Sequence, residues 1–171
     1  MAIPAATGTQ RDILEAARSL LASSSTFQSL VDAQGIDAPA LLADALTYIY
    51  TDVILPKTGA EDGDFIDLPV ARVTFPVAPR QIELAHGTAT NAGTILVEIM
   101  AEAPSDYTTD VERERWMLNV AGSIRDEMMV NMRLGGLYCR EISVHHPARS
   151  NRASQIDFWN GELEIAWGFE S

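Results

Sequence analysis

After about residue 68 the apolar residues of this chain change period, from every third or fourth position to every second. A chain with that switch must place helices first and build a sheet afterwards, because the two periods suit different backbones. The alternation is cleanest in Thr94–Ala103, where Ile95, Val97, Ile99 and Ala101 share one face and Leu96, Glu98, Met100 and Glu102 the other. It returns at Glu162–Phe169, with Leu163, Ile165, Trp167 and Phe169 on one side and Glu162, Glu164 and Glu170 on the other. Each pattern predicts a strand with one buried and one polar face.

The helical part comes first. Thr9 and Asp12 make a capping-box-like start, and Ile13, Leu14, Ala17, Leu20 and Leu21 follow at helical spacing. The run Ser23-Ser24-Ser25-Thr26 interrupts that helix, since serines compete for backbone hydrogen bonds and favour caps. A second short helix carrying Phe27, Leu30 and Val31 is expected to begin there, with Gly35 as its stop. Asp37 and Pro39 suit the start of a third helix, striped by Leu41, Leu42, Ala45 and Ile49 and widened by Leu46 and Tyr50. Pro56–Asp67 reads as a polar loop.

Pro69–Val77 predicts a first strand, and the flanking Pro76 and Pro79 suggest an edge or a strand end. Ile82–His86 predicts a second, and Gly87–Gly93 a turn before the strand at Thr94. Thr109–Leu134 predicts the longest helix, opened by a Thr109/Glu112 capping box and ended by Gly135-Gly136. Its stripe is Met117, Val120, Ala121, Ile124, Met128 and Met132; Trp116, Met129 and Val130 fall off it and are candidates for a partner surface. Leu137–Val144 predicts a strand. Ile156–Phe158 and Glu162–Phe169 predict a hairpin around Trp159-Asn160-Gly161, because Asn-Gly suits a tight turn. The whole predicts a single α+β domain over residues 1–171: a helical part over 1–55, then a mixed or antiparallel sheet over 68–171 with the long helix on one face.

Composition narrows the function. The 171 residues are 47% hydrophobic, ample for a core. The first residues lack a basic segment followed by an apolar one, so a signal peptide is not expected, and no apolar run is long enough to span a bilayer. The single cysteine, Cys139, excludes an intrachain disulfide and a cysteine-rich zinc site and reads as a small buried hydrophobe. Twelve Lys+Arg against 24 Asp+Glu give a net charge of −12, which opposes any grip on the DNA phosphate backbone. Lys57 is the only lysine, so the remaining cations are arginines, which suit interfaces and also reflect codon bias in GC-rich genomes.

Chemistry-bearing motifs are sparse. Neither a phosphate-binding loop, a dinucleotide fingerprint nor a nucleophile elbow occurs. Glu61-Asp62-Gly63-Asp64 with Asp67 lacks EF-hand spacing and reads as a solvated acidic loop. His145 and His146 are adjacent, so on a strand they face opposite ways and do not share a metal ion. Arg149, Asn151 and Arg152 belong to a basic loop, His145–Ala153, suited to carboxylates of a partner subunit, to a transient contact with DNA passing through a channel, or to a solvated surface. Trp116, Trp159 and Trp167 lack the basic groove that nucleobase stacking requires. No cofactor or catalytic group is expected.

The segments LLASSSTFQSLVDA, LPVARVTFPV and GTILVEIMAEAP with the helix after it, closed by IDFWNGELEIAWGF, together resemble phage tail terminators and related head–tail connector proteins. That resemblance implies a structural virion subunit, made in the host cytoplasm. By that resemblance its copies would form a ring, usually a hexamer, that caps the tail tube and joins it to the neck. Its partners would be itself, the tail tube protein and the portal-side connectors, with DNA passing through an acidic lumen without specific binding. Trp116, Met129, Val130, Asp62, Asp64, His146, Arg149 and Arg152 are the candidate interface residues. A portal-bound adaptor or stopper is the neighbouring alternative. More distant ones are a small-molecule-binding or enzymatic domain using His86, His145 or Glu98, and an acidic scaffold that binds a basic enzyme.

Overall fold

The computed structural model describes residues 10–32, 45–51, 68–76, 80–83, 89–130, 133–134, 137–150 and 158–168. Two antiparallel strands form its axis: β4 (Ala89–Ala101, 13 residues) and β8 (Phe158–Gly168, 11 residues), in register from Ala92↔Gly168 to Ala101↔Trp159. Each is flanked on its outer side by a strand in two pieces. β2 (Val70–Thr74) and β3 (Arg80–Glu83) both pair with β4, while β6 (Leu137–Val144) and β7 (Ala148–Ser150) both pair with β8. A proline marks each interruption: Pro76 follows β2, and Pro147 falls between β6 and β7. A residue with no N–H cannot continue a ladder. The two-residue strands β1 (Ile49–Tyr50) and β5 (Arg133–Leu134) complete an eight-stranded sheet, in the order β1-β2-β4-β8-β6-β5. Among the described strand pairs only β1–β2 is parallel, so the sheet is mixed and the fold is α+β, as the pattern predicts.

Among the described residues, three helices of eight residues or more cover one face. α1 (Gln10–Ala22) and α2 (Ser25–Asp32) are separated at the serine run, as expected. The long helix α3 (Asp110–Val130) buries Met117, Val120, Ala121, Ile124 and Met128. Those side chains meet Ile95, Val97, Ile99, Leu163, Ile165 and Trp167 from the sheet and Leu20, Leu21, Phe27 and Val31 from α1 and α2 in a single core. The capping box at the start of α3 forms: the Thr109 hydroxyl accepts from the Glu112 N–H at 3.3 Å, and the Glu112 carboxylate accepts from the Thr109 N–H at 2.9 Å. Those bonds hold the Glu112 carboxyl below its usual range, the backbone bond from Thr109 first among the causes.

Four expectations require correction. Ile49 does not continue a helical stripe. Among the described residues of this segment helix covers 45–47, and Ile49 enters β1, where the Ala71 N–H donates to the Tyr48 carbonyl at 2.8 Å. The Arg18 Nε locks this turn by donating to the Ile49 carbonyl at 2.9 Å. β2 is not an edge, since β1 lies on its other side, although Pro76 does mark its end. The long helix stops at Val130 rather than Leu134, because Arg133 and Leu134 pair with Tyr138 and Leu137. The Gly35 stop, the Asp37 start and the Pro56–Asp67 loop lie outside the described residues.

The fourth correction concerns glycine. Neither Gly93 nor Gly161 makes a turn; each sits within a long strand, and the hairpin expected around Asn160-Gly161 does not form. Both face the helical layer, and the reason for each glycine is space. A Cβ on Gly161 would stand 2.8 Å from the Met117 sulfur, so the bare backbone lets α3 lie down on β8. A Cβ on Gly93 would stand 2.9 Å from the indole ring of its cross-strand partner Trp167. That ring is buried and also meets Phe75 at a centroid distance of 6.2 Å. An indole fixed on several sides cannot yield, so Gly93→Ala should destabilise the fold by roughly 1–3 kcal/mol through overpacking. Urea unfolding followed by tryptophan fluorescence would report this as a lower midpoint at unchanged slope.

Candidate functional site

The second face of the sheet carries the alternate residues of every central strand, and no described helix packs on it. Across the strands, one row runs Arg72↔Glu98↔Glu162 and the next Thr74↔Leu96↔Glu164↔Ser143. A third brings together Thr94, Ala166 and Glu141. Leu96, Met100 and Ala166 are half-buried there, interleaved with the carboxylates. Like charges directly opposite each other repel, and Glu98 faces Glu162. Arg72 relieves one of them, reaching a Glu98 carboxylate oxygen through both Nε and Nη2. Glu162 accepts a hydrogen bond from the Asn160 amide at 3.3 Å, and Glu164 lies 3.1 Å from the His145 ring nitrogen. The face is therefore acidic and apolar at once.

The junction between β6 and β7 belongs partly to the chain's own helix. His145 and His146, in the link after β6, diverge: His145 turns to Glu164, whereas the His146 Nε2 lies 3.1 Å from a Glu114 carboxylate oxygen on α3. The Arg149 Nη1 donates to the Asp110 carboxylate at 2.8 Å, on the first turn of the same helix. The segment expected to be a basic loop thus contributes a strand, β7, an Arg149–Asp110 ion pair and two histidine–carboxylate contacts within the subunit. Such exposed pairs contribute little each, about 0–1 kcal/mol. His146 remains 75% exposed. Asp62, Asp64 and Arg152 lie outside the described residues.

Of the off-stripe residues of α3, only Val130 stands fully in solvent, at 82% exposure. Trp116 and Met129 are half-buried against the core, and the Trp116 ring lies 6.4 Å from that of Tyr107. Two further exposed apolar residues on this helix, Val111 and Leu118, escaped the sequence reading. They lie seven positions apart, opposite the buried stripe, so a helical projection drawn from Met117 and Ile124 would have found them.

A third constellation joins α2 to α3. The Glu127 carboxylate accepts from the hydroxyls of Ser24 at 2.6 Å, Ser25 at 2.8 Å and Thr26 at 2.7 Å, and from the Thr26 N–H at 3.1 Å. Ser24, itself buried, also caps α2 by accepting from the Phe27 N–H at 3.2 Å. A carboxylate at a helix N-terminus opposes the positive end of the dipole. Partial burial pushes the Glu127 carboxyl upward, but the bonds from Ser24, Thr26 and Ser25 outweigh it and hold the carboxyl at about 2. This is a structural clamp, and sequence alone could not pair Glu127 with residues a hundred positions away.

Among the described residues no group of three or more His, Cys, Asp or Glu side chains could hold a metal ion, and no helix is long and apolar enough to cross a membrane. Comparison of the chain with protein-family models and with curated proteins found no match.

The Glu127 clamp predicts a pH dependence. Its folded pKa lies below the unfolded value, so its contribution is complete above about pH 4.5 and is lost as pH falls toward about 2. Glu127→Ala should cost about 1.5–3 kcal/mol at neutral pH, the range for hydrogen bonds to a charged group. Stabilities of the variant and the native protein should converge in that acid window, as measured by urea unfolding at a series of pH values.

Proposed function

We propose that this chain is a non-enzymatic, self-assembling virion protein: a ring-forming subunit of a phage tail or neck, acting as the tail terminator. The observation that carries the reading is the two-sidedness of the sheet. Helices seal one face, while the other offers half-buried Leu96 and Met100 among Glu98, Glu162 and Glu164. A surface of that mixture is suited to a partner with matching apolar and basic groups, because carboxylates set close together are relieved by incoming cations. The net charge of −12 supports the same reading. Copies arranged around a channel would make its wall repel DNA, so that a duplex slides through without being held.

In this reading the mechanism is assembly. Subunits close into a ring through heterologous contacts, each subunit using two different patches. The ring then matches the last ring of the tail tube on one side and the neck on the other, and growth of the tube stops. Val130, His146 and Arg149 are candidates for the tube-side or neck-side contacts, since each is solvent-exposed. A portal-bound adaptor would share these features and differ in subunit number.

The test is the absolute mass of the purified protein at several concentrations, by light scattering or native mass spectrometry, with negative-stain imaging. A closed ring of about six subunits with a central channel is the expected outcome. A ring of about twelve would favour the portal adaptor instead. A protein that stays monomeric and also fails to bind isolated tail tubes would overturn the structural reading.

A further inference from the structure

We propose that the outer face of α3 is an interface between copies of this chain, and that it receives the open acidic face of a neighbour's sheet; this rests on the self-assembly proposed above. The outer face is built from Val111, Arg115, Leu118 and Gly122, which succeed one another at three- and four-residue steps. Val111 is 56% and Leu118 42% exposed, more than an inward-turned stripe would leave in water. Arg115 is exposed and, in a chain with twice as many acidic as basic side chains, makes no ion pair among the described residues.

Gly122 is the second observation. Glycine in a helix interior is less favourable than alanine, because it adds backbone freedom to the unfolded chain. At Gly93 and Gly161 a neighbouring side chain explains the residue, but a Cβ on Gly122 would meet nothing within 4 Å. The subunit itself gives no steric reason for glycine there. A bare backbone beside Leu118 is a notch into which an atom of another molecule fits closely.

The occupant follows from charge. On the face that no described helix covers, Glu98, Glu102, Glu141, Glu162 and Glu164 accompany Leu96 and Met100, and among the described residues Arg72 and His145 answer them. Leu118 and Val111 match the apolar positions, and Arg115 supplies a missing cation. Two α3 faces packed on each other about a two-fold axis would instead bring Arg115 toward its own copy. Because α3 lies on one side of the sheet and the acidic face on the other, the contact uses two opposite surfaces of every subunit. Such a contact is heterologous, the kind that builds rings and stacks.

Gly122→Ala separates this interface from a purely internal role. The substitution should raise the urea midpoint of the isolated subunit and, in the same preparation, weaken self-association by at least about tenfold. Arg115→Glu should weaken association at low salt, and Glu162→Arg in the same chain should restore part of it. Association measured by sedimentation or mass photometry that is unchanged in both single variants, while the native chain still assembles, would overturn the interface and leave the ring reading intact. A native chain that never self-associates, alone or on tail tubes, would overturn both.

Discussion

The pairing of β4 with β8 sets the position of nearly everything else in the molecule. Its register places Ile95, Val97 and Ile99 beside Ile165, Leu163 and Gly161 on one face, and Leu96, Glu98 and Met100 beside Glu164, Glu162 and Asn160 on the other. A slip of one residue would exchange those two sets, burying carboxylates under the helices and exposing the core. The helical layer reinforces the register, because α3 can approach only where Gly161 leaves room for Met117. The proline-broken strands then follow the axis on both sides, β2 with β3 and β6 with β7, and extend the same two-faced division across the sheet.

The division has an electrostatic consequence. A fold with carboxylates concentrated on one sheet face stores repulsion that the burial opposite must outweigh. The core supplies that easily: a fully buried Leu or Ile side chain contributes about 1.5–3 kcal/mol, and the cluster holds many. Glu127 shows the opposite use of an acid. There the charge is gathered by hydroxyls and a backbone N–H and fastens α2 to α3. The chain therefore spends its acidic residues in two ways, one tightening the subunit and the other left facing outward.

Much of the fold was legible because it rests on periodicity. The buried faces of β4, β8 and α3, the break at the serines and the capping box at Thr109 all followed from spacing and cap chemistry. What was missed depends on contacts distant in sequence. Asn160-Gly161 has the composition of a tight turn, and only the arrival of Met117 from α3 makes it a strand interior. Ile49 fits a helical stripe, and only β2 offers it a strand partner. Of the candidate surface, the alternation of glutamates in β4 and β8 was visible. Their alignment across strands was not, nor was the capture of His146 and Arg149 by Glu114 and Asp110.

That capture bears on where a partner could bind. With Arg149 and His146 drawn to the first turns of α3, Arg115 gains weight among the described cations that face solvent. An acidic sheet face with half-buried leucine and methionine is poorly served by water alone: solvating the carboxylates leaves the apolar side chains wet, and covering the apolar side chains strands the carboxylates. A surface carrying both an arginine and exposed valine and leucine satisfies both demands together. Within this molecule, the outer side of α3 has that combination. In the proposed interface a copy of the chain would offer it from the side opposite its own acidic face, so each contact would leave the same two surfaces open at the ends of the assembly. Closing a ring would remove those open ends, because every heterologous contact would then find its counterpart.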